Sequence, residues 1–247
     1  LVLSLMITYA IAQVLISSNR TSVTSDGMSQ SQETGRFVMS YLAKHIRLAG
    51  FDKNGGSTPA FVGCDNFPAL KAHRACITEA GGGENQDDLK KENTTHGDLL
   101  AITKTLPSDE LVDCTGNTGY WALGKDPKTD PIIAYAENNV IINTFWVAFD
   151  DTSQMNSLYC KGFLLSGNNV LGGSSAQAIA NGVDAIQFLY GQADVSGSNR
   201  RDVTRYMPAA KDPDNPSATE ISEWGRVYAV RVSILTRSIT EVTNKET

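Results

Sequence analysis

The sequence predicts an α+β fold, in which a long N-terminal helix packs on an antiparallel β-sheet head with long loops. Three observations predict it. Residues 1–16 (LVLSLMITYAIAQVLI) are apolar and uncharged, and residues 36–49 repeat apolar side chains at helical spacing. Farther along, several short segments alternate apolar and polar residues, which is typical of half-buried strands. We therefore divide the chain into a helical part, residues 1–50, and a β-rich head, residues 51–247.

The first segment has two interpretations. A helix that spans a bilayer needs about 20 apolar residues, and residues 1–16 are fewer and contain polar side chains. The segment could be the tail of a secretory signal peptide, because residues 10–12 (Ala-Ile-Ala) fit a cleavage site. We favour a longer hydrophobic helix whose first residues precede Leu1, since no basic region comes before the apolar run. Its apolar members are Leu1, Val2, Leu3, Leu5, Met6, Ile7, Ala10, Ile11, Val14, Leu15 and Ile16.

A second helical pattern covers residues 36–49. Basic residues near its end suit the helix dipole, and Gly50 is a good stop signal. Residues 17–35 form a weak helix by propensity, so the sequence leaves open whether they are helical. The side chains that we expect to pack the helix onto the head are Phe37, Tyr41, Leu42, Ile46 and Ala49.

The head is predicted to consist of strands separated by long loops. Residues 51–97 are rich in Gly and charge and indicate loops. The polar connection 191–225 is too long for a tight hairpin; it is either a loop that binds a partner or a solvated excursion. Strands are predicted over residues 98–105, 139–149, 158–165, 183–190 and 226–235.

Composition narrows the class of protein. The 247 residues carry a formal net charge of −6 without a run of Lys or Arg, so no nucleic-acid partner is expected. The four cysteines contain no C-x-x-C pair, which favours two disulfides in an oxidising compartment over a zinc site. Of the three possible pairings, we favour Cys64 with Cys76 and Cys114 with Cys160.

The sequence contains no motif that is typical of a catalytic, metal-binding or phosphate-binding site. The three histidines form no H-E-x-x-H pattern, and there is no nucleophile elbow, phosphate-binding loop or calcium loop. We therefore predict no catalytic residue, no metal ligand and no cofactor, with an exported hydrolase as the alternative from another class.

The ordered segments resemble the minor pilins of bacterial type IV pili, and most closely the PilW type. No single short match is specific, whereas the ordered set is. The matching segments are residues 33–37 and 41–51 (ETGRF and YLAKHIRLAGF), 63–64 (GC), 96–100 (HGDLL), 113–116 (DCTG), 158–160 (LYC), 179–183 (IANGV), 188–191 (FLYG), and Trp224 with 227–238 (VYAVRVSILTRS).

The resemblance implies a type IV pilin-like fold and a role in recognition and polymerisation. Such a subunit is anchored in the inner membrane with its head in the periplasm, and it later enters an extracellular pilus with its apolar helix in the filament core. It would prime assembly with other minor and major pilins and sit at or near the tip, where a tip adhesin could be a further partner. The rivals are a minor pseudopilin of type II secretion, of the J type, and a bulk filament subunit.

The chain departs from the family at both ends. Family members begin with a Phe-rich start whose fifth residue is glutamate, and Leu1 would lie several residues beyond that point. Members often carry another strand pair after the late strand, whereas this sequence stops at Thr247. The processing site and the glutamate are therefore not assigned to any residue here.

Overall fold

The structure, a computed structural model, describes residues 2–52, 60–61, 97–105, 112–116, 140–166, 169–193, 202–209 and 224–239. Three residues with a predicted role, Leu1, Cys64 and Cys76, lie outside the described residues, and so does the predicted disulfide between the last two.

One uninterrupted helix, α1 (Val2–Arg47), accounts for the N-terminal part. Residues 17–35, which the sequence left open, are helical, and several hydroxyls there bond back along the helix; Thr21 and Thr24 donate to the carbonyls of Ser17 and Arg20 at 3.0 and 2.9 Å. These bonds satisfy side chains that otherwise compete with the helical backbone. After α1, Gly50 adopts a φ of 73° and donates its N–H to the carbonyl of Thr103 at 2.9 Å, which directs the chain onto the head.

Nine strands and one 3₁₀ turn form the described part of the head. The 3₁₀ turn is Trp224–Arg226. The strands are β1 (Phe51–Asp52), β2 (Leu100–Thr105), β3 (Val140–Asp150), β4 (Met155–Ser166), β5 (Asn169–Gly173), β6 (Gln177–Asn181), β7 (Val183–Ala193), β8 (Val203–Met207) and β9 (Val227–Thr236).

The strands form two sheets, whereas the sequence predicted one. In the first sheet the order is β1-β2-β3-β4-β5, and β6 also pairs with β4; in the second it is β8-β7-β9. Every pairing is antiparallel except the short parallel pair of β1 with β2. The α+β class is confirmed. The prediction of a single sheet was wrong, because the alternation of residues along one strand does not identify which strand lies beside it.

The predicted strands are present, and the sequence missed short ones. The polar connection 191–225 contains the end of β7 and the whole of β8, so it is not a plain loop. β8 (VTRYM) escaped notice because it is a short edge strand with three exposed central residues. Strand β3 is buried along most of its length, and the neighbouring residues Ile141 and Ile142, which point to opposite faces, are 0% and 1% exposed, so both faces of the strand are covered.

Backbone contacts at Gly97 and Asp98 join the two sheets. Gly97 forms a bridge with Ile186 of β7, and the N–H of Asp98 donates to the carbonyl of Ile186 at 2.9 Å. The Asp98 carboxylate accepts the N–H of Phe188 at 2.8 Å. Strand β2 of the first sheet begins two residues later, so the segment that leads into β2 is hydrogen-bonded to β7, the central strand of the second sheet.

A second junction lies at Gly182, between β6 of the first sheet and β7 of the second. Its φ is 76°, its N–H donates to the carbonyl of Asn156 at 2.9 Å, and its carbonyl accepts the N–H of Arg237 at 2.9 Å. Arg237 also pairs with Asp184 at 3.1 Å. The chain therefore crosses between the sheets at a residue that bonds to β4 of the first sheet and to the residue that follows β9 of the second, which explains the glycine within the 179–183 segment.

Replacing Gly97 with Ala is expected to destabilise the head severely. An added Cβ would lie 1.9 Å from the carbonyl oxygen of Ile186, and the φ of 118° disfavours any L side chain. We expect a loss of about 3 kcal/mol or more in the free energy of unfolding, measured by urea denaturation with circular dichroism in mild detergent.

The matched control for this prediction is Gly225→Ala, because an added Cβ there meets nothing within 4 Å. Equal stability of the two variants would contradict the role given to Gly97.

Candidate functional site

The N-terminal part of α1 is an apolar surface that nothing in the described structure covers. Its large apolar side chains are between 50% and 73% exposed, and the apolar positions surround the helix on all sides. A helix that is apolar all round belongs in a protein core or a membrane. The members of this surface, which we call the apolar segment, are Val2, Leu3, Leu5, Met6, Ile7, Ala10, Ile11, Val14, Leu15 and Ile16.

The length and composition of this helix fit a membrane span. Helix α1 contains an 18-residue window with a mean hydropathy of 1.5, none of it buried. No charged residue occurs before Arg20, so residues 2–19 form an uncharged helix about 27 Å long, close to the roughly 30 Å of a bilayer's hydrocarbon core.

One polar side chain inside this segment is already satisfied. The hydroxyl of Thr8 donates to the carbonyl of Ser4 at 2.8 Å. A donor that bonds to its own helix costs little in an apolar environment, whereas an unpaired donor there costs several kcal/mol. Thr8 is therefore compatible with burial in lipid or among other helices.

The head holds the second half of α1 through one apolar face. Val38 and Leu42, four residues apart, are 0% and 1% exposed. Three of the residues expected at this contact, Tyr41, Ile46 and Ala49, are partly buried against the core. The fourth, Leu42, is buried. The prediction that the fifth, Phe37, lies inside this contact is corrected by the structure.

Phe37 is 50% exposed and stacks on Tyr41 with ring centroids 6.0 Å apart. Successive helix residues are turned by about 100°, which places Phe37 at the rim of the contact and Val38 at its centre. Val38 was visible in the sequence pattern, but periodicity could not show which apolar row faced inward.

Hydrogen bonds fix the middle of α1 to β9. The Ser31 hydroxyl donates to the Thr236 carbonyl at 3.2 Å, and the Thr236 hydroxyl donates to the Ser31 carbonyl at 3.1 Å. At Gly35, the position of an added Cβ lies only 3.7 Å from the Thr236 hydroxyl, so the helix comes close to the strand. The helix is thus held to the head from its middle to its C-terminal end, and the apolar segment projects beyond.

The segment 112–116 joins helix and sheet at Cys114. The structure contains a disulfide between Cys114 and Cys160 of β4, with a Cα–Cα distance of 6.3 Å, which is the pair favoured from the sequence. The N–H of Cys114 donates to the Asn143 side chain of β3 at 2.9 Å, and its carbonyl accepts the Tyr41 hydroxyl of α1. Three elements therefore meet at one residue.

Burial sets the charge of the side chains at this junction. It raises the pKa of Tyr41 to about 12, with a further contribution from Asp113. The pKa of His45 is lowered to about 4, mainly by burial and less by the charges of Lys104 and Lys44, while Asp113 acts in the opposite direction. His45 packs against Phe145 with ring centroids 5.4 Å apart, so a neutral imidazole is the form that suits this contact.

Within the residues that the structure describes, no group of three His, Cys, Asp or Glu side chains is arranged to hold a metal ion. The two features with a clear physical role are the apolar segment and the junction around Cys114. The first presents an exposed apolar surface, and the second fixes the position of the helix on the head. Both properties suit a protein that assembles with other proteins.

Comparison with known proteins agrees with this chemistry. Residues 144–247 match the family model PilW, described as type IV pilus-assembly protein W. No curated protein and no solved structure matches the chain. The match confirms the PilW-type resemblance inferred from the sequence and supports a role related to type IV pilus assembly, which implies interaction with other pilus components.

The matched region begins within β3 and extends through β9. It includes the 158–160, 179–183 and 188–191 segments that carried the resemblance, while the helix and residues 96–100 and 113–116 lie outside it.

Removal of the Cys114–Cys160 disulfide is expected to weaken the head. The bond closes a separation of 46 residues, and cross-links of this size typically stabilise by about 2–4 kcal/mol. We expect the Cys114→Ala, Cys160→Ala double variant to lose stability in this range in urea denaturation. Peptide mapping of the unreduced wild-type chain should recover the two cysteines as one linked pair, and recovery of both as free thiols would refute the bond.

Protonation of His45 is expected to destabilise the junction. Because its pKa falls from 6.5 unfolded to about 4 folded, the contribution of the neutral form is complete above about pH 6.5 and is lost as the pH falls toward 4. NMR titration should find an imidazole that stays neutral at pH 5. The variant His45→Gln should lose less stability than the wild type between pH 6.5 and 4.5, and parallel losses would contradict this.

Proposed function

We propose that this PilW-type chain is a minor pilin of a type IV pilus, which helps prime pilus assembly and sits at or near the tip. The observation that carries the proposal is the division of one continuous helix. Its first part is uncharged, apolar all round and exposed, while its second part is held by the head. A subunit of this form polymerises by burying the first part and presents the second with its head.

Before assembly, the apolar segment anchors the chain in the inner membrane with the head in the periplasm. The uncharged length matches the hydrocarbon core to within a few ångströms, and Arg20 follows where a charged side chain would reach the interface. This assignment gives residues 1–50 the roles of anchor and filament core and residues 51–247 the role of the head.

After assembly, the same side chains pack against helices of neighbouring subunits. Each large apolar side chain that leaves water contributes about 1.5–3 kcal/mol, and the segment holds nine such side chains besides Ala10, with Leu1 preceding them. The partners are other minor and major pilins, and the tip position would add an adhesin. The disulfide suits a head that works outside the cytoplasm.

The decisive experiment counts copies of the chain in sheared surface fibres by quantitative mass spectrometry, in wild-type cells and in a deletion strain complemented with variants. We expect trace amounts in wild-type fibres and a loss of fibres in the deletion strain. Ile11→Asp should not restore fibres, because a carboxylate at the middle of a membrane helix costs about 2.5–3.5 kcal/mol. Ile11→Leu, the matched control, should restore them.

Other outcomes would identify the rivals. If the chain is the dominant protein of the fibre, it is the bulk subunit. If it is absent from fibres while secretion fails in the deletion strain, it is a minor pseudopilin of type II secretion. Normal incorporation of Ile11→Asp would remove the anchor role from the apolar segment.

A further inference from the structure

The strongest unassigned surface is a groove between α1 and strand β6. Its volume is about 560 Å³. One wall is the helix from Gln30 to Phe37, and the other is β6 with Ile239 beyond it. The groove lies beside the helix-to-head contact, close to the hydrogen bonds between Ser31 and Thr236.

Strand β6 offers this groove a backbone edge. Among the described residues it pairs only with β4, so no described strand pairs with its other edge. Its side chains change from exposed at Gln177 and Ala178 to half-buried at Ile179 and the residues after it. An accessible edge of this kind is a template for an added strand.

The side chains around the groove define the chemistry of its occupant. Phe37 and Ile239 are 50% and 46% exposed, and with Ala178 and Ile179 they provide an apolar lining. Glu33 is the charged residue of the lining and is exposed, with no hydrogen bond or ion pair to any residue that the structure describes. An apolar side chain next to a Lys or Arg would complement both features.

The length of the groove suits a short extended segment. Each wall is about 10 Å long, from seven helical steps or three strand steps, which is room for three or four residues of a strand.

We propose that this groove binds an extended segment of another pilus protein, which adds a strand to the edge of β6 that no described strand occupies, places an apolar side chain against Phe37 and Ile179, and pairs a Lys or Arg with Glu33. The inference rests on the proposed function, because that function supplies the neighbour. It makes the groove a specific contact between heads, distinct from the packing of the apolar segments.

The test places a photoreactive benzoylphenylalanine at Ala178 in the full chain, in cells that assemble pili. We expect cross-links to a short stretch of another pilus protein that contains a Lys or Arg. The matched control position is Gln187, an exposed residue of β7 outside the groove, which should not capture that stretch. Mass spectrometry of the linked peptides identifies the residues joined.

Charge reversal tests the role of Glu33. Glu33→Lys should lower the yield of the Ala178 cross-link by about three- to tenfold, and reversing the Lys or Arg of the captured stretch should restore it. Asp26→Lys, which reverses another exposed carboxylate of the same helix outside the groove, should leave the yield unchanged.

Three results would overturn the inference: a yield that does not respond to Glu33→Lys, cross-links spaced three or four residues apart as on a helix, or no cross-link in fibres that contain the chain. A failure of the proposed function can be distinguished from a failure of the groove contact. If groove variants enter fibres normally without cross-links while Ile11→Asp does not enter, the pilin role stands and the groove contact falls. If the wild type is absent from fibres but the cross-link forms in the membrane fraction, the groove contact stands and the fibre role falls.

Discussion

The burial of one face of a continuous helix is the constraint on which the rest of this molecule depends. Val38 and Leu42 are almost wholly withdrawn from solvent, and each contributes about 1.5–3 kcal/mol through burial. The hydrogen bonds between Ser31 and Thr236 add a second fixed point nearer the N-terminus. Since α1 has no break between these points and Val2, fixing its second half also fixes the direction in which the apolar segment leaves the head.

The head can hold the helix because its two sheets are joined at the backbone. Gly97 and Asp98 bond to β7, and Gly182 bonds to segments of both sheets. At Gly97 and Gly182 a side chain would collide with a carbonyl oxygen, so these close approaches require glycine. The helix contacts both sheets, with Tyr41 against Phe145 of β3 and Ser31 against Thr236 of β9, and loosening the sheet junctions would therefore loosen the helix.

Function follows from the distribution of polarity along one chain. The apolar segment can enter lipid or pack with other helices, because its surface is uncharged and its Thr8 hydroxyl is internally bonded. The junction around Cys114 stays geometrically fixed, because a disulfide, an amide and a phenol converge there. In the pilin role that we propose, the first property supplies the attraction between subunits and the second determines the orientation of each head.

The sequence by itself determined the α+β class, the apolar segment, the strands with strong alternation and the PilW-type resemblance. These depend on local periodicity and composition, which are legible in a single chain. It also favoured the pairing of Cys114 with Cys160, although it could not exclude the other pairings.

Only the tertiary structure decided what depends on contacts between distant residues. Residues 17–35 have weak helical propensity, and contacts with β9 at Ser31 and Gly35 support the helix there. The exposure of Phe37 and the burial of Val38 follow from how the helix is rotated on the head. The division into two sheets follows from which strands meet. Local pattern shows that a side chain is apolar, but the packing partner decides whether it is buried.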